Sequence, residues 1–300
     1  MTDDKDTMLW IAAASIVVAV AVMGIKYLAY STTGSVALYS DALESIVNLV
    51  TAVAAVVAIR ISAQPADGRH QFGHHKAEYF AAVLEGALII VAAILILREA
   101  IEAVQVPRTL SSPALGLALS GAATALNAGW SGYLITFGRR RRSPALVADG
   151  KHLFADVLTS VGVIAGLTLA TVTGWRLLDP LLAAGVAAYI LYSGWRLASE
   201  SMSGLMDEAV SANVATRIRQ IISENATGAI EAHDLRTRSA ASATFIEFHL
   251  VVPGEMSVAE AHHICDRLEE ALAREVKGAE VLIHVEPEGE ARHRGVVVVV

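Results

Sequence analysis

Six stretches of this chain are apolar and long enough to cross a bilayer, at about 8–30, 36–60, 79–104, 114–138, 144–172 and 178–199. About 20 apolar residues span a hydrocarbon core of roughly 30 Å, and only helices or closed barrels satisfy their own backbone there. The pattern predicts an all-α, six-helix transmembrane domain over 1–204. Composition agrees, with 54% of the 300 residues hydrophobic and 18% charged, against roughly a quarter charged in soluble domains. The opening MTDDKD leads into an apolar run longer than a signal-peptide core and without a small-residue cleavage site. It reads as a retained first span.

Basic residues in short loops set orientation. Arg60, Arg69 and Lys76 lie between spans 2 and 3, and Arg139–Arg142 between spans 4 and 5, whereas the opposite loops offer Lys26, Arg108 and Arg176. The basic loops, and with them both termini, are expected in the cytoplasm. A net charge of −7 argues against nucleic acid as a partner, and the one cysteine, Cys265, excludes a disulfide framework and a cysteine-rich zinc site.

Two of the apolar runs carry ionisable or amide residues where few are expected. Glu44 and Asn48 lie in span 2, His152 and Asp156 in span 5, each pair spaced i, i+4 and so on one helix face. Counted inward from Ser35, the first pair is 9 and 13 residues deep; counted outward from Ser143, so is the second. At 1.5 Å per residue both lie roughly 14–20 Å deep, near the midplane. Charge at that depth is costly and faces a partner, a cavity or an ion. Two carboxylates beside an imidazole repel unless a proton or cation intervenes, so the set reads as a four-ligand site for a divalent cation rather than a polar helix contact. Asp41, one turn before Glu44, is placed at the outer vestibule. Glu85 and Asn127 are weaker candidates, read as packing or partner contacts.

The loop QPADGRHQFGHHKAE brings Asp67, His70 and His74 within eight residues, a second metal candidate. After Gly204 the composition turns soluble. Helix 212–226, strands 230–239 and 243–252, a helix opened by a Ser257/Glu260 capping box, and strand 279–287 give the order αββαβ. This predicts a two-layer, ferredoxin-like α+β domain at 205–290, followed by an apolar tail at 291–300 with no assigned role. His233, His249, His262 and His284 spread over its strands and second helix, and a small sheet can gather several of them with Glu286.

On TGSV (33–36), RISAQPADGRHQFGHHKAE (60–78), HLFAD (152–156), GAIEAHDLRTR (228–238) and EVLIHVEP (280–287), the chain resembles the cation diffusion facilitator family, in particular its bacterial zinc or iron(II) exporters. The likeness runs from about residue 8 to 288. It implies a transport site at Glu44, Asn48, His152 and Asp156, a loop site at Asp67, His70 and His74, and a cytoplasmic binuclear site at His233, His249, His262, His284 and Glu286. It also implies a homodimer in membrane lipid, alternating access, and protons as counter-substrate. The helix-2 pair departs from the usual Asp/Asp or His/Asp, and its oxygen-rich set admits Fe²⁺ or Mn²⁺ beside Zn²⁺. No catalytic cofactor is expected. An intramembrane metal hydrolase would need an open ligand position and a further general base, a channel would build rings from several subunits, and a metal-sensing scaffold would need no transport site.

Overall fold

The computed structural model describes residues 2–33, 36–105, 114–173, 178–292 and 297–298; some side chains within them, Glu44 among them, lie outside the description. Two compact units emerge, 1–202 and 203–300.

In the first unit six helices follow the apolar runs: α1 Thr2–Thr33, α2 Val36–Ser62, α3 Ala77–Gln105, α4 Ala114–Arg141, α5 Pro144–Thr173 and α6 Leu178–Leu205. Among the described residues, Thr7–Thr32 and Ala77–Glu102 alone are long and apolar enough to cross a membrane unaided, with Asn48–Ser62 a shorter apolar stretch. The helices bury small residues against each other and turn large ones outward. Ala12, Ala55, Ala58, Ala145 and Ala148 are buried, while Trp10, Val17, Val57, Ile94 and Trp195 are exposed. That inversion suits a bundle surrounded by lipid, where close backbone approach replaces hydrophobic burial.

The α4–α5 turn is tight and fixes the level at which α5 begins. Arg139–Arg141 close α4, where cations suit the helix dipole, and Pro144 opens α5, where its missing N–H costs nothing. Between them Ser143 N donates to Gly138 O at 2.9 Å, and Ser143 Oγ donates to Glu78 Oε2 at the start of α3. Helices α3 and α5 therefore begin at one level. α5 packs on α2, α3 and α4, and α1 packs on α2 and α4, so side chains from four helices can reach one point beside α5.

The second unit contains α7 Ala212–Asn225, β1 Glu231–Ala240, β2 Ala243–Val252, α8 Val258–Glu275 and β3 Ala279–Pro287, in the expected αββαβ order. The strands lie in the order β3-β2-β1-β4, where β4 (Val297–Val298) is a short edge strand from the tail. β1 pairs antiparallel with β2, and β3 pairs parallel with it. Ile218, Ile221 and Ile222 of α7 and Ile264, Leu268 and Leu272 of α8 pack on Ile246, Phe248 and Leu250 of β2. Each such burial contributes about 1.5–3 kcal/mol. Both Ser257 and Glu260 make their capping-box bonds at the start of α8. Gly278 enters β3 at φ +68, and a Cβ there would run into the Ser242 carbonyl, so only glycine fits.

Candidate metal sites

Asp156 is the centre of the buried polar cluster in the helix bundle. It is 1% exposed. Asn48 Nδ2 of α2 donates to Asp156 Oδ2 at 3.2 Å, and Asn127 Nδ2 of α4 donates to the same oxygen at 2.5 Å. Asn48 and Asp156 thus meet across two helices, as their equal residue counts require. His152 lies one turn before Asp156 and is equally enclosed. The Glu44 side chain lies outside the described residues; its backbone is one turn before Asn48 on α2.

One member of this cluster is not foreseen by counting loop charges. Lys26 belongs to no loop: it is 1% exposed within α1. Its Nζ donates to Asp156 Oδ1 and Oδ2 at 2.9 and 3.0 Å and to Asp41 Oδ1 at 2.8 Å. Asp41 also accepts from Ser160 Oγ at 3.1 Å and Ser120 Oγ at 3.3 Å. The only signal in the sequence is that Lys26 falls inside an apolar run, and such a cation needs an anionic partner. Asn127 is not a bystander either, since its amide holds Asp156. Lys151 turns away to pair with Glu200 at 3.2 Å.

Four ligand-type atoms around Asp156 have no hydrogen-bond partner: Asn48 Oδ1, Asn127 Oδ1, and both ring nitrogens of His152. Buried polar atoms are nearly always paired. Two carbonyl oxygens, an imidazole and a carboxylate make a donor set that fits a first-row divalent cation.

The loop residues converge as well. Asp67 Oδ1 accepts from the backbone N–H of His70 at 2.6 Å and of Arg69 at 2.8 Å. Those bonds, His70 first, hold its carboxyl below the usual carboxylate range, so it stays ionised at neutral pH. His70 Nδ1 is 3.4 Å from Asp67 Oδ1 and His74 Nε2 is 3.6 Å from Oδ2. Their ligand atoms all lie within 4.8 Å of one another.

In the second unit, strand register gathers the histidines. His233 pairs with His249, and His249 with His284, so three imidazoles line up across β1, β2 and β3. Ring centroids are 5.3 and 4.9 Å apart. Their face of the sheet is the one opposite α7 and α8, because Ile246, Phe248 and Leu250 alternate with His249. Glu286 spans the row: Oε1 is 2.8 Å from His249 Nδ1 and 3.7 Å from His284 Nε2, and Oε2 is 3.2 Å from His233 Nε2. His233 is buried, yet neither ring nitrogen makes a hydrogen bond of good geometry. Asp234 joins His233 and His249. It occupies a bulge at φ +51 that breaks the strand alternation, which is why period-2 reasoning passes over it. His262 is not brought to the row. It sits on α8 beside Asp266 at 3.7 Å and is 71% exposed.

A six-helix bundle with a buried cluster of ligand-type side chains, followed by a small α+β domain with a histidine row, is an architecture suited to a membrane transporter for cations. Residues 12–206 match the cation efflux transmembrane domain, and 210–288 match the cytoplasmic domain of cation efflux proteins. The chain belongs to this cation efflux family, the cation diffusion facilitators. It is 46% identical over 276 residues to an uncharacterized transporter of Synechocystis sp., covering 92% of this chain and 89% of that one. It is 34% identical over 291 residues to the cation-efflux pump FieF of Yersinia pestis, covering 95% of each. A solved structure of the transporter CzrB in its zinc form is 49% identical, covering 29% of this chain and 98% of its own, with a TM-score of 0.28. The family consists of cation-efflux transporters, not enzymes.

Proposed function

We propose that the chain exports a divalent transition metal, Zn²⁺ or the similar Fe²⁺ or Mn²⁺, from the cytoplasm in exchange for protons. It does so by alternating access, as a homodimer in the bacterial inner membrane with both termini cytoplasmic. The observation that carries the proposal is the set of unpartnered ligand atoms of Asn48 and His152 beside Asp156, buried among the helices. Glu44, one turn before Asn48 in the sequence, is assigned as the remaining ligand on that spacing alone. With neutral Asn48, the carboxylates of Asp41, Glu44 and Asp156 less the Lys26 ammonium leave two negative charges, which a divalent ion just balances. Ligation requires neutral imidazole and ionised carboxylates, so metal and protons compete for one site, which is the chemistry an exchanger needs. Purified protein in liposomes should take up Zn²⁺ at a rate set by the pH gradient, with Fe²⁺, Mn²⁺, Co²⁺ and Cd²⁺ as competitors ranking the ions. Uptake indifferent to the gradient would reject the exchange.

Replacing Asn48 by aspartate tests its place in the site. Asn48→Asp sets a second carboxylate beside Asp156 Oδ2, where the amide now donates. The variant should bind Zn²⁺ about tenfold more tightly, an order of magnitude being about 1.4 kcal/mol. Its uptake should also rise more steeply with pH between about 5.5 and 8, around the reference histidine value of about 6.5, because one more group must lose its proton. Equal affinity and equal slope would remove Asn48 from the ligand set.

The loop set Asp67, His70 and His74 is proposed as a second, exposed metal site, and His233, His249, His284 and Glu286 as a regulatory or structural one. Within one chain His262 stands on the helix side of the sheet, so any part it takes there falls to a second copy. Replacing His249 and His284 together should abolish metal-dependent compaction of the cytoplasmic dimer, read by small-angle scattering, and reduce transport without ending it. Unchanged compaction would exclude the row.

A further inference from the structure

Glu85 of α3 and Asp149 of α5 make no hydrogen bond to any cluster described above. They are 0% and 1% exposed, and all four carboxylate oxygens lack a hydrogen-bond partner. Their helices, α3 and α5, pack on each other. The helices around them are pressed together: Ala82 and Ile89, on either side of Glu85 along α3, pack in one apolar cluster with Ala148 of α5. A Cβ on Gly86 would touch Ala198 N at 2.8 Å, and one on Gly150 would touch Ile135 Cγ1 at 2.8 Å. From α1 the Ser15 hydroxyl, which accepts from Trp130 Nε1 at 2.8 Å, lies near Asp149 without closing a hydrogen bond to it.

A dry, ionised carboxylate left unpaired is strongly disfavoured. Among the described residues, no cation on the neighbouring helices offsets this pair. Lys26 is engaged by Asp41 and Asp156, and Lys151 by Glu200. The depth of the pair is also specific. Ser143 and Glu78 are bonded at the helix starts; Asp149 is six residues beyond the first and Glu85 seven beyond the second. At 1.5 Å per residue both acids sit about 9–10 Å in, and Asp156 about 20 Å in. Two acids on separate helices therefore meet halfway between the loop-bearing face and the transport site.

We propose that Glu85 and Asp149, with the Ser15 hydroxyl, form a second intramembrane site for a divalent cation, a way-station on its path from the cytoplasm to Asn48, His152 and Asp156. The proposal rests on the transport reading given above. Two carboxylates balance one divalent charge, and five oxygens with no nitrogen or sulfur suit a harder ion than an imidazole-bearing site does. Mn²⁺ is the natural probe.

The test uses the full chain in detergent, titrated with Mn²⁺ and read by electron paramagnetic resonance. The near-isosteric double variant Glu85→Gln/Asp149→Asn should bind one Mn²⁺ equivalent fewer than the parent, and a separate Asp156→Asn variant should lose a different equivalent. If the double variant holds as many equivalents as the parent, the way-station is rejected. If Asp156→Asn alone loses none, the fault lies with the transport site instead. Infrared difference spectra of the unsubstituted chain give a second readout, with Asp149→Asn used only to assign the band. Adding Mn²⁺ should abolish a protonated-carboxyl band in the share that Asp149→Asn removes, and a band that survives saturating Mn²⁺ would show that the pair holds protons alone and overturn the proposal.

Discussion

Asp156→Ala should leave a protein that inserts and dimerises but moves no metal above the background of empty liposomes. Asp156 is the point where four helices meet, since Lys26, Asn48 and Asn127 all donate to it. Without its carboxylate a divalent ion at the midplane keeps an excess positive charge, where isolated charge costs roughly 2.5–3.5 kcal/mol or more. That penalty alone lowers occupancy by about two orders of magnitude, before any loss of ligand geometry. The Lys26 ammonium would keep Asp41 as its acceptor, so the bundle itself should persist. Asp156→Asn separates charge from shape: it retains the side-chain volume and should fail equally. Flux at the parent rate from either well-inserted variant would take Asp156 out of the transport path.

Lys26→Met should act on stability and metal affinity in opposite directions. The ammonium now bridges Asp41 and Asp156 at 2.8–3.0 Å, and breaking a buried pair typically costs about 3–5 kcal/mol because the partner charge is stranded. Methionine fills similar space without charge. The metal-free variant should therefore unfold at a clearly lower temperature. A divalent ion then meets two carboxylates with no ammonium to displace, so added Zn²⁺ should raise the unfolding temperature by more than it does in the parent. Melting curves with and without Zn²⁺ read both effects. If neither the metal-free temperature nor the Zn²⁺-induced rise changes, Lys26 is not the counter-ion of this site.

Much of the bundle can be read from the chain because membrane physics is restrictive. Apolar length sets the helices, and two i, i+4 pairs at equal residue counts must face each other at one depth. Lys26 escapes such counting because a charge near the end of an apolar run has two good fates, in the headgroups or on a buried acid. Only three-dimensional packing of α1 on α2 and α4 chooses between them. Glu85 and Asp149 are hidden for a similar reason: each looks like a lone polar residue until α3 and α5 are seen to start at one level. In the second unit, alternation places His249 and His284 on one face of their strands. It does not say which residues stand opposite, and Asp234 on its bulge falls outside the alternation altogether.

The register of the histidine row also bears on when the site can exist. His233 and His249 belong to adjacent strands, but His284 and Glu286 arrive on β3, after the whole of α8 has been made. A slip of one residue in β3 would turn both away to the opposite face. Long-range parallel pairing is also slow to form compared with a local hairpin. A nascent chain thus offers two imidazoles early and the bridging carboxylate last. The complete row is a mark of a finished and correctly threaded domain, and a truncated or mis-registered one cannot imitate it.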